Sequence, residues 1–182
     1  MPISQIMADS IATNAVTSPK LGGGVPTRAQ LPAGSVLQVV NFTTGVLATG
    51  STAIPADNTI PQITEGNQYM SLSITPTSAS STLKVDVVWI GSANTTGSAL
   101  CVALFRDSGA NALATSYQNQ AVGQYFTSQC FTSFVASGSA ALTTFTVRAG
   151  VSSGTTTFNG VGTTSYLGGS LASSITITEI AG

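Results

Sequence analysis

Between Tyr69 and Ile90 the chain alternates apolar and polar residues with a period of two. Met70, Leu72 and Ile74 are separated by Ser71 and Ser73, and Leu83, Val85, Val87 and Trp89 by Lys84, Asp86 and Val88. Successive side chains of a strand point to opposite faces, so each run predicts a half-buried β-strand. Between them lies Thr75–Ser81, where Pro76 breaks regular structure and the hydroxyl side chains bond their own backbone. That segment predicts a loop, joining the two strands as a hairpin or as Greek-key neighbours.

The same pattern places the other elements. Ser35–Thr43 carries Val36, Val40 and Phe42 on one parity and Leu37 and Val39 on the other, which predicts a strand covered on both faces. Val46–Gln68 holds Pro55, Pro61, Asp57, Asn58, Glu65, Gly66 and Asn67 and reads as a long decorated loop with at most one short strand. Ala99–Arg106 is a nearly continuous apolar strand, ended by the turn residues Asp107-Ser108-Gly109. Leu113–Tyr117 predicts a short strand and Val122–Ala136 a longer, bulged one carrying Tyr125, Phe126, Phe131 and Phe134. Ala141–Ala149 puts Phe145 and Val147 on one face, and Leu171–Ile180 does the same with Ile175 and Ile177; a short strand is expected inside the glycine-rich Gly150–Gly169. About eight principal strands with turns between them suit a two-sheet jelly roll.

The first residues follow another rule. Ile6, Ile11, Val16 and Leu21 recur every fifth position, a spacing that matches neither helix nor strand. It predicts a narrow arm whose single apolar ridge is covered by copies of itself or by another protein. Gly22-Gly23-Gly24 followed by Val25-Pro26-Thr27 reads as a hinge, flexible and then stiff. The expected organisation is an attachment arm and hinge over residues 1–30 and a body over residues 31–182. The fold class is all-β, a jelly-roll-like two-sheet β-sandwich preceded by an extended N-terminal arm.

Composition sharpens this picture. Charged residues form 6% of the chain, against roughly 25% in an average soluble protein. A helical or α/β protein needs Lys, Glu and Arg on its exposed helix faces, so the scarcity itself favours sheets. The net charge is −1, and Lys20, Arg28, Lys84, Arg106 and Arg148 are scattered, so no basic stripe exists to follow a nucleic-acid backbone. So few charges give little protection against association, and much of the surface is expected to be buried in an oligomer. Neither a signal-peptide pattern nor an apolar run long enough to span a bilayer is read in the sequence.

The chain has no histidine, which removes the commonest general base and rules out a Ser-His-Asp triad or a Cys-His pair. No GxSxG elbow occurs, and the glycine triplet is not followed by the Lys-Ser/Thr of a phosphate loop. The carboxylates are Asp9, Asp57, Glu65, Asp86, Asp107 and Glu179. Asp57 and Glu65 lack calcium-loop spacing but are the pair to test for a polysaccharide depolymerase. Asp86 beside Lys84 reads as a surface ion pair. Cys101 and Cys130 lie outside any metal-ligand spacing. Cys130 shares its parity with Phe126 and Phe134 and is expected to pack as a small apolar side chain, while a bond between the two cysteines stays open. No catalytic residue, cofactor or metal is expected.

Four stretches carry a resemblance. Gly34–Val40, Ser71–Val85 (SLSITPTSASSTLKV) and Ser174–Gly182 (SITITEIAG) resemble a body domain recurrent in virion proteins of tailed bacteriophages, and Ala8–Leu21 is similar to the stalk segments that precede such domains. The resemblance implies a jelly-roll-like sandwich, usually trimeric, on the surface of a virion assembled in the bacterial cytoplasm. On it rests the expectation of a non-enzymatic decoration, cement or short fibre protein. Ile6, Ile11, Val16 and Leu21 would grip a capsid or tail protein, and Val88 and Ile90 would be buried between subunits. The alternative is a tail-fibre or tail-tip module that adheres to host glycan through Tyr117, Tyr125 and Tyr166.

Overall fold

The strands pair as one long antiparallel hairpin rolled into two facing sheets. The structure is a computed structural model and describes residues 31–119 and 125–182. The arm positions Ile6, Ile11, Val16 and Leu21 and the hinge lie outside the described residues. In chain order the strands are β1 (Val36–Thr44), β2 (Ala48–Gly50), β3 (Asn67–Ile74), β4 (Thr82–Ala93), β5 (Ala99–Arg106) and β6 (Ala114–Asn119). Then come β7 (Thr127–Ala136), β8 (Thr143–Val151), β9 (Thr156–Phe158), β10 (Gly160–Val161), β11 (Thr164–Ser165) and β12 (Ser173–Ile180). Four nested antiparallel pairs organise the body: β1 with β12, β3 with β8, β4 with β7, and β5 with β6 at the tip.

Cross-pairing of β12 with β4 and of β8 with β5 then closes the pairs into two sheets. One runs β1-β12-β4-β7, and the other β3-β8-β5-β6. With the eight long strands counted in order, the sheets read 1-8-3-6 and 2-7-4-5, the jelly-roll arrangement. The short β9 and β2 continue the first sheet past one end of β12 and β1, with β9 pairing β4 at Gly91–Ala93. The fold is thus an all-β jelly-roll sandwich, as the alternation predicts.

The expected link between the two central strands is corrected. β3 and β4 do not pair; they belong to different sheets, and Thr75–Ser81 crosses from one to the other. Alternation fixes which face of each strand is buried but not which neighbour it finds, and outside the β5–β6 tip the nested pairing gives each long strand a partner distant in sequence.

Between the sheets lies the main core. Leu83, Val85, Val87 and Trp89 of β4 and Ile175 and Ile177 of β12 meet Met70, Ile74, Leu100, Val102, Leu104, Phe145 and Val147 from the other sheet. Trp89, Tyr69 and Phe158 form an aromatic cluster at one end, with ring centroids 5.0–6.3 Å apart. Two β-bulges account for the departures from strict parity. The ladder shifts between Gln68 and Met70, which turns both Tyr69 and Met70 toward the core. A shift between Val36 and Gln38 likewise buries Leu37.

β1 is accordingly not covered on both faces as expected. It is an edge strand paired with β12 alone, and Val36 and Val39 are each 56% exposed. β5, by contrast, is buried on both faces. Its outward Cys101, Ala103 and Phe105 are capped by Ile54, Ile63 and Ala112 in a second, smaller core. The segment 51–66 therefore acts as a lid over the four-stranded sheet. Arg148 pins that lid through Nε to the Glu65 carbonyl and Nη2 to the Gly66 carbonyl, both at 2.8 Å. Gly66 has φ of +63°, and a Cβ there would meet the Ala149 carbonyl oxygen at 2.8 Å, so the lid's return needs a glycine.

Candidate functional site

The two outer faces of the sandwich differ. The four-stranded sheet is roofed by the chain's own lid, whereas no segment among the described residues covers the six-stranded one. Register identifies what that open face carries. Val88 of β4 stands between Ser174 of β12 and Cys130 of β7, and Ile90 lies opposite Ser128. Phe134 pairs with Lys84, and Val39 with Thr178. Val88 and Ile90 are half-buried by these neighbours, while Phe134 is 63% exposed. The outward placement of Val88 and Ile90 follows from their parity against Leu83, Val85, Val87 and Trp89.

Cys130 keeps the predicted parity with Phe134, but that face looks outward. The thiol is exposed rather than packed as a small apolar side chain, because β7 turns Phe131 and Val135 to the core instead. Cys101 is buried under the lid on the other sheet, and both cysteines are free thiols. Burial, with a smaller push from the Glu65 charge, raises the Cys101 thiol to about 11.

Lys84 and Asp86 form the expected ion pair, at 2.7 Å, on the open face. Partial burial works against the Asp86 charge, but hydrogen bonds from Lys84 and from Thr132 (2.6 Å) outweigh it and hold the carboxyl below its usual range.

The three tyrosines are separated. Tyr117 stands on the lid side of β6, in register with Cys101, and its hydroxyl donates to Asn119 Oδ1 at 2.9 Å. Tyr166 packs edge-on against Phe126 with centroids 5.2 Å apart, and Tyr125 is exposed just ahead of β7. No ring contact joins Tyr117, Tyr125 and Tyr166.

Asp57 and Glu65 do not share a cavity. Asp57 lines an open cleft of about 420 Å³ between residues 57–61 and 112–115, of which Glu65 is not a wall. Thr59 donates to Asp57 Oδ1 through its hydroxyl (2.5 Å) and its backbone N–H (2.8 Å), which keeps the carboxyl below its ordinary range. Glu65 Oε2 instead accepts the Gln62 N–H at 2.9 Å within the lid. A hydrolytic carboxylate pair would flank one bond at roughly 5–9.5 Å; the cleft itself supplies one carboxylate. Among the described residues no three His, Cys, Asp or Glu side chains gather into a metal-binding group.

Sequence reasoning missed a buried carboxylate. Glu179 shares its parity with Ile175 and Ile177, so the alternation already places it inward, and it is fully buried. Its Oε1 accepts the Thr77 N–H at 2.7 Å and the Ser78 N–H at 3.4 Å; Oε2 accepts Gln38 Nε2 at 2.6 Å and the Thr77 hydroxyl at 3.1 Å. Desolvation is the largest influence and opposes the charge. Bonds from Gln38 and Thr77, with the nearby Ser81 hydroxyl, overcome it, and the pKa lies below the ordinary value. Gln38 Nε2 also reaches the Thr75 carbonyl at 2.7 Å, so one carboxylate ties β12, β1 and the Thr75–Ser81 crossing together.

Comparison with family models matches none of them, and comparison with curated proteins gives no match either. Among solved structures, dimeric latent PorU from Porphyromonas gingivalis is similar over 86% of this chain, with a TM-score of 0.40 and 10% identity. The chain spans 14% of that protein's length, and a likeness of this size carries no functional argument.

Proposed function

We propose that this protein is a non-enzymatic structural component of a bacteriophage particle. In this reading it is a homotrimeric surface decoration, cement or short fibre protein, anchored to capsid or tail by its N-terminal arm. The observation that carries the reading is the asymmetry between the outer faces. One is sealed by Ile54 and Ile63 of the lid, and the other leaves Val39, Cys130 and Phe134 exposed around the half-buried Val88 and Ile90. A second or third copy against that face would bury what the chain does not cover itself. The resemblance at Gly34–Val40, Ser71–Val85 and Ser174–Gly182 supports the virion setting.

Mass photometry of the full chain tests the assembly. The expected species has three times the 18.2 kDa chain mass, and Val88→Asp shifts it to monomer while leaving the folded core intact. A wild-type chain that stays monomeric at micromolar concentration and does not co-sediment with phage particles would refute the reading.

A further inference from the structure

We infer that the cleft between residues 57–61 and 112–115 is a binding site for a short neutral saccharide. Its walls are preorganised. Ala112 N–H donates to the Pro61 carbonyl at 2.9 Å, Ile63 N–H to the Ala110 carbonyl at 2.8 Å, and Gln62 Nε2 bridges the Ile60 carbonyl (2.6 Å) and Asn111 Oδ1 (2.9 Å). Lid and β6 approach are thereby fixed before any ligand arrives, which lowers the ordering cost of binding.

The lining divides into two kinds of surface. Ile60 and Leu113 are apolar yet 56% and 42% exposed, while Asp57, Asn58, Thr59 and Thr115 are polar. A sugar ring is divided in the same way, with C–H patches on its faces and hydroxyls around its edge. Tyr117 lies on the same face of β6 as Thr115, two residues on and about 6.6 Å along the strand. Its ring is 55% exposed and its hydroxyl is tethered to Asn119. Tyr117 is not a wall of the cleft, but a half-exposed, tethered aromatic two residues beyond the lining Thr115 on the same strand face is a surface on which the far ring of a bound disaccharide can stack.

Asp57 supplies the polar anchor. Thr59 occupies Oδ1, leaving Oδ2 to accept a sugar hydroxyl. The carboxyl is held ionised, and among the described residues no Lys or Arg lines the cleft, so the ligand is neutral rather than acidic. One carboxylate can bind a glycoside but not hydrolyse it by the two-carboxylate route, so the sugar leaves intact. A volume near 420 Å³ lies low in the range for ligand sites and suits a disaccharide.

Saturation-transfer NMR on the full chain tests this. The probes are methyl glycosides and disaccharides of glucose, galactose, mannose and N-acetylglucosamine at millimolar concentration, with sialyllactose as the acidic comparison. Transfer to at least one neutral disaccharide is expected. It should weaken about tenfold in Asp57→Asn, the equivalent of one charge-assisted hydrogen bond, and by a similar factor in Tyr117→Ala. Tyr166→Ala, whose ring packs on Phe126 instead, should leave it unchanged. Asn at position 57 keeps an acceptor for Thr59, and a wild-type unfolding curve for each variant shows that the fold is retained. The proposal is overturned by no transfer to any neutral probe, by transfer that survives Asp57→Asn and Tyr117→Ala undiminished, or by preference for sialyllactose. It fails separately from the assembly reading, since a trimer that binds no sugar remains a trimer.

Discussion

Replacing Glu179 by Gln tests the account of the buried carboxylate most directly. The substitution keeps shape and volume but replaces one acceptor oxygen with an NH2 group. All four partners, Thr77 N–H, Ser78 N–H, Gln38 Nε2 and the Thr77 hydroxyl, are donors in the wild type. Whichever way the amide turns, its NH2 faces donors, and at least one buried N–H loses its acceptor. An unmet buried donor together with lost charge assistance costs about 3 kcal/mol. For a chain of this size that lowers Tm by roughly 6–12 °C. Urea unfolding at fixed protein concentration, at pH 7 and stepwise toward pH 3, separates this from a packing defect. The folded-state pKa is depressed, so the carboxylate's contribution is complete above the ordinary value of 4.5 and is lost as pH falls through the folded-state value. The gap between wild type and Glu179→Gln should therefore be widest near neutrality and narrow in acid. A variant within 0.5 kcal/mol of wild type at pH 7, or a gap that stays constant to pH 3, would refute the assignment; the first figure is about the scatter of neutral surface changes.

Arg106 donates through Nη1 to the Ala136 carbonyl at 2.8 Å and through Nη2 to the Ser137 carbonyl, tying the end of β5 to the end of β7 in the opposite sheet. Arg106→Lys keeps the charge but cannot span both carbonyls, and a loss of about 1–2 kcal/mol in chemical unfolding is expected. Gly66→Ala should cost about 1–3 kcal/mol from positive φ and the close Ala149 carbonyl, with protease cleavage appearing first in the 51–66 lid. In the Val88→Asp monomer, thiol labelling at pH 8 should modify Cys130 rapidly and leave Cys101 untouched until urea unfolds the lid; simultaneous labelling of both would contradict the burial of Cys101.

The sequence makes the strands legible because alternation is a local signal. β4, β8 and β12 appear where Leu83–Trp89, Phe145–Val147 and Ile175–Ile177 place them, with the predicted faces inward. Two things escape a period-two reading. Bulges at Tyr69 and Leu37 insert a residue and reverse parity, and nothing in the local composition marks them. Partner choice is also non-local, which is why β3 and β4 read as neighbours though they fall in opposite sheets. Glu179 was legible by parity, since it continues the Ile175–Ile177 face, but a carboxylate on a core face conflicts with hydropathy unless its donors are known. Those donors come from Gln38 and Thr77, 141 and 102 residues away. Tyr117 and Asp57 could be named from sequence, but their placement on the same side of the four-stranded sheet depends on β6 lying beside the lid, which no local pattern encodes.

The few charges of the described body are distributed unevenly between its interior fastenings and its open face. Glu65, Arg106, Asp107, Arg148 and Glu179 all bond backbone or side-chain groups of distant segments or of their own turns, so they act as internal fasteners. Among the described residues, only Lys84 and Asp86 are charged on the six-stranded sheet's outer face, and they neutralise each other, with Thr132 adding a bond. That face also carries hydroxyls from Ser128, Thr132, Ser174, Thr176 and Thr178 and the Asn41 amide around Val39, Val88, Ile90, Cys130 and Phe134. Burying a hydroxyl that keeps a hydrogen bond costs far less than burying a lone Lys or Glu, and a paired ion set brings no unmatched charge into an interface. Association through this face, as the proposed trimer would require, would therefore need shape and hydroxyl matching with a different surface of the next copy rather than an oppositely charged partner. It follows that binding there should vary little with salt, whereas a contact built on Lys20 and Arg28 would weaken steeply as ionic strength rises.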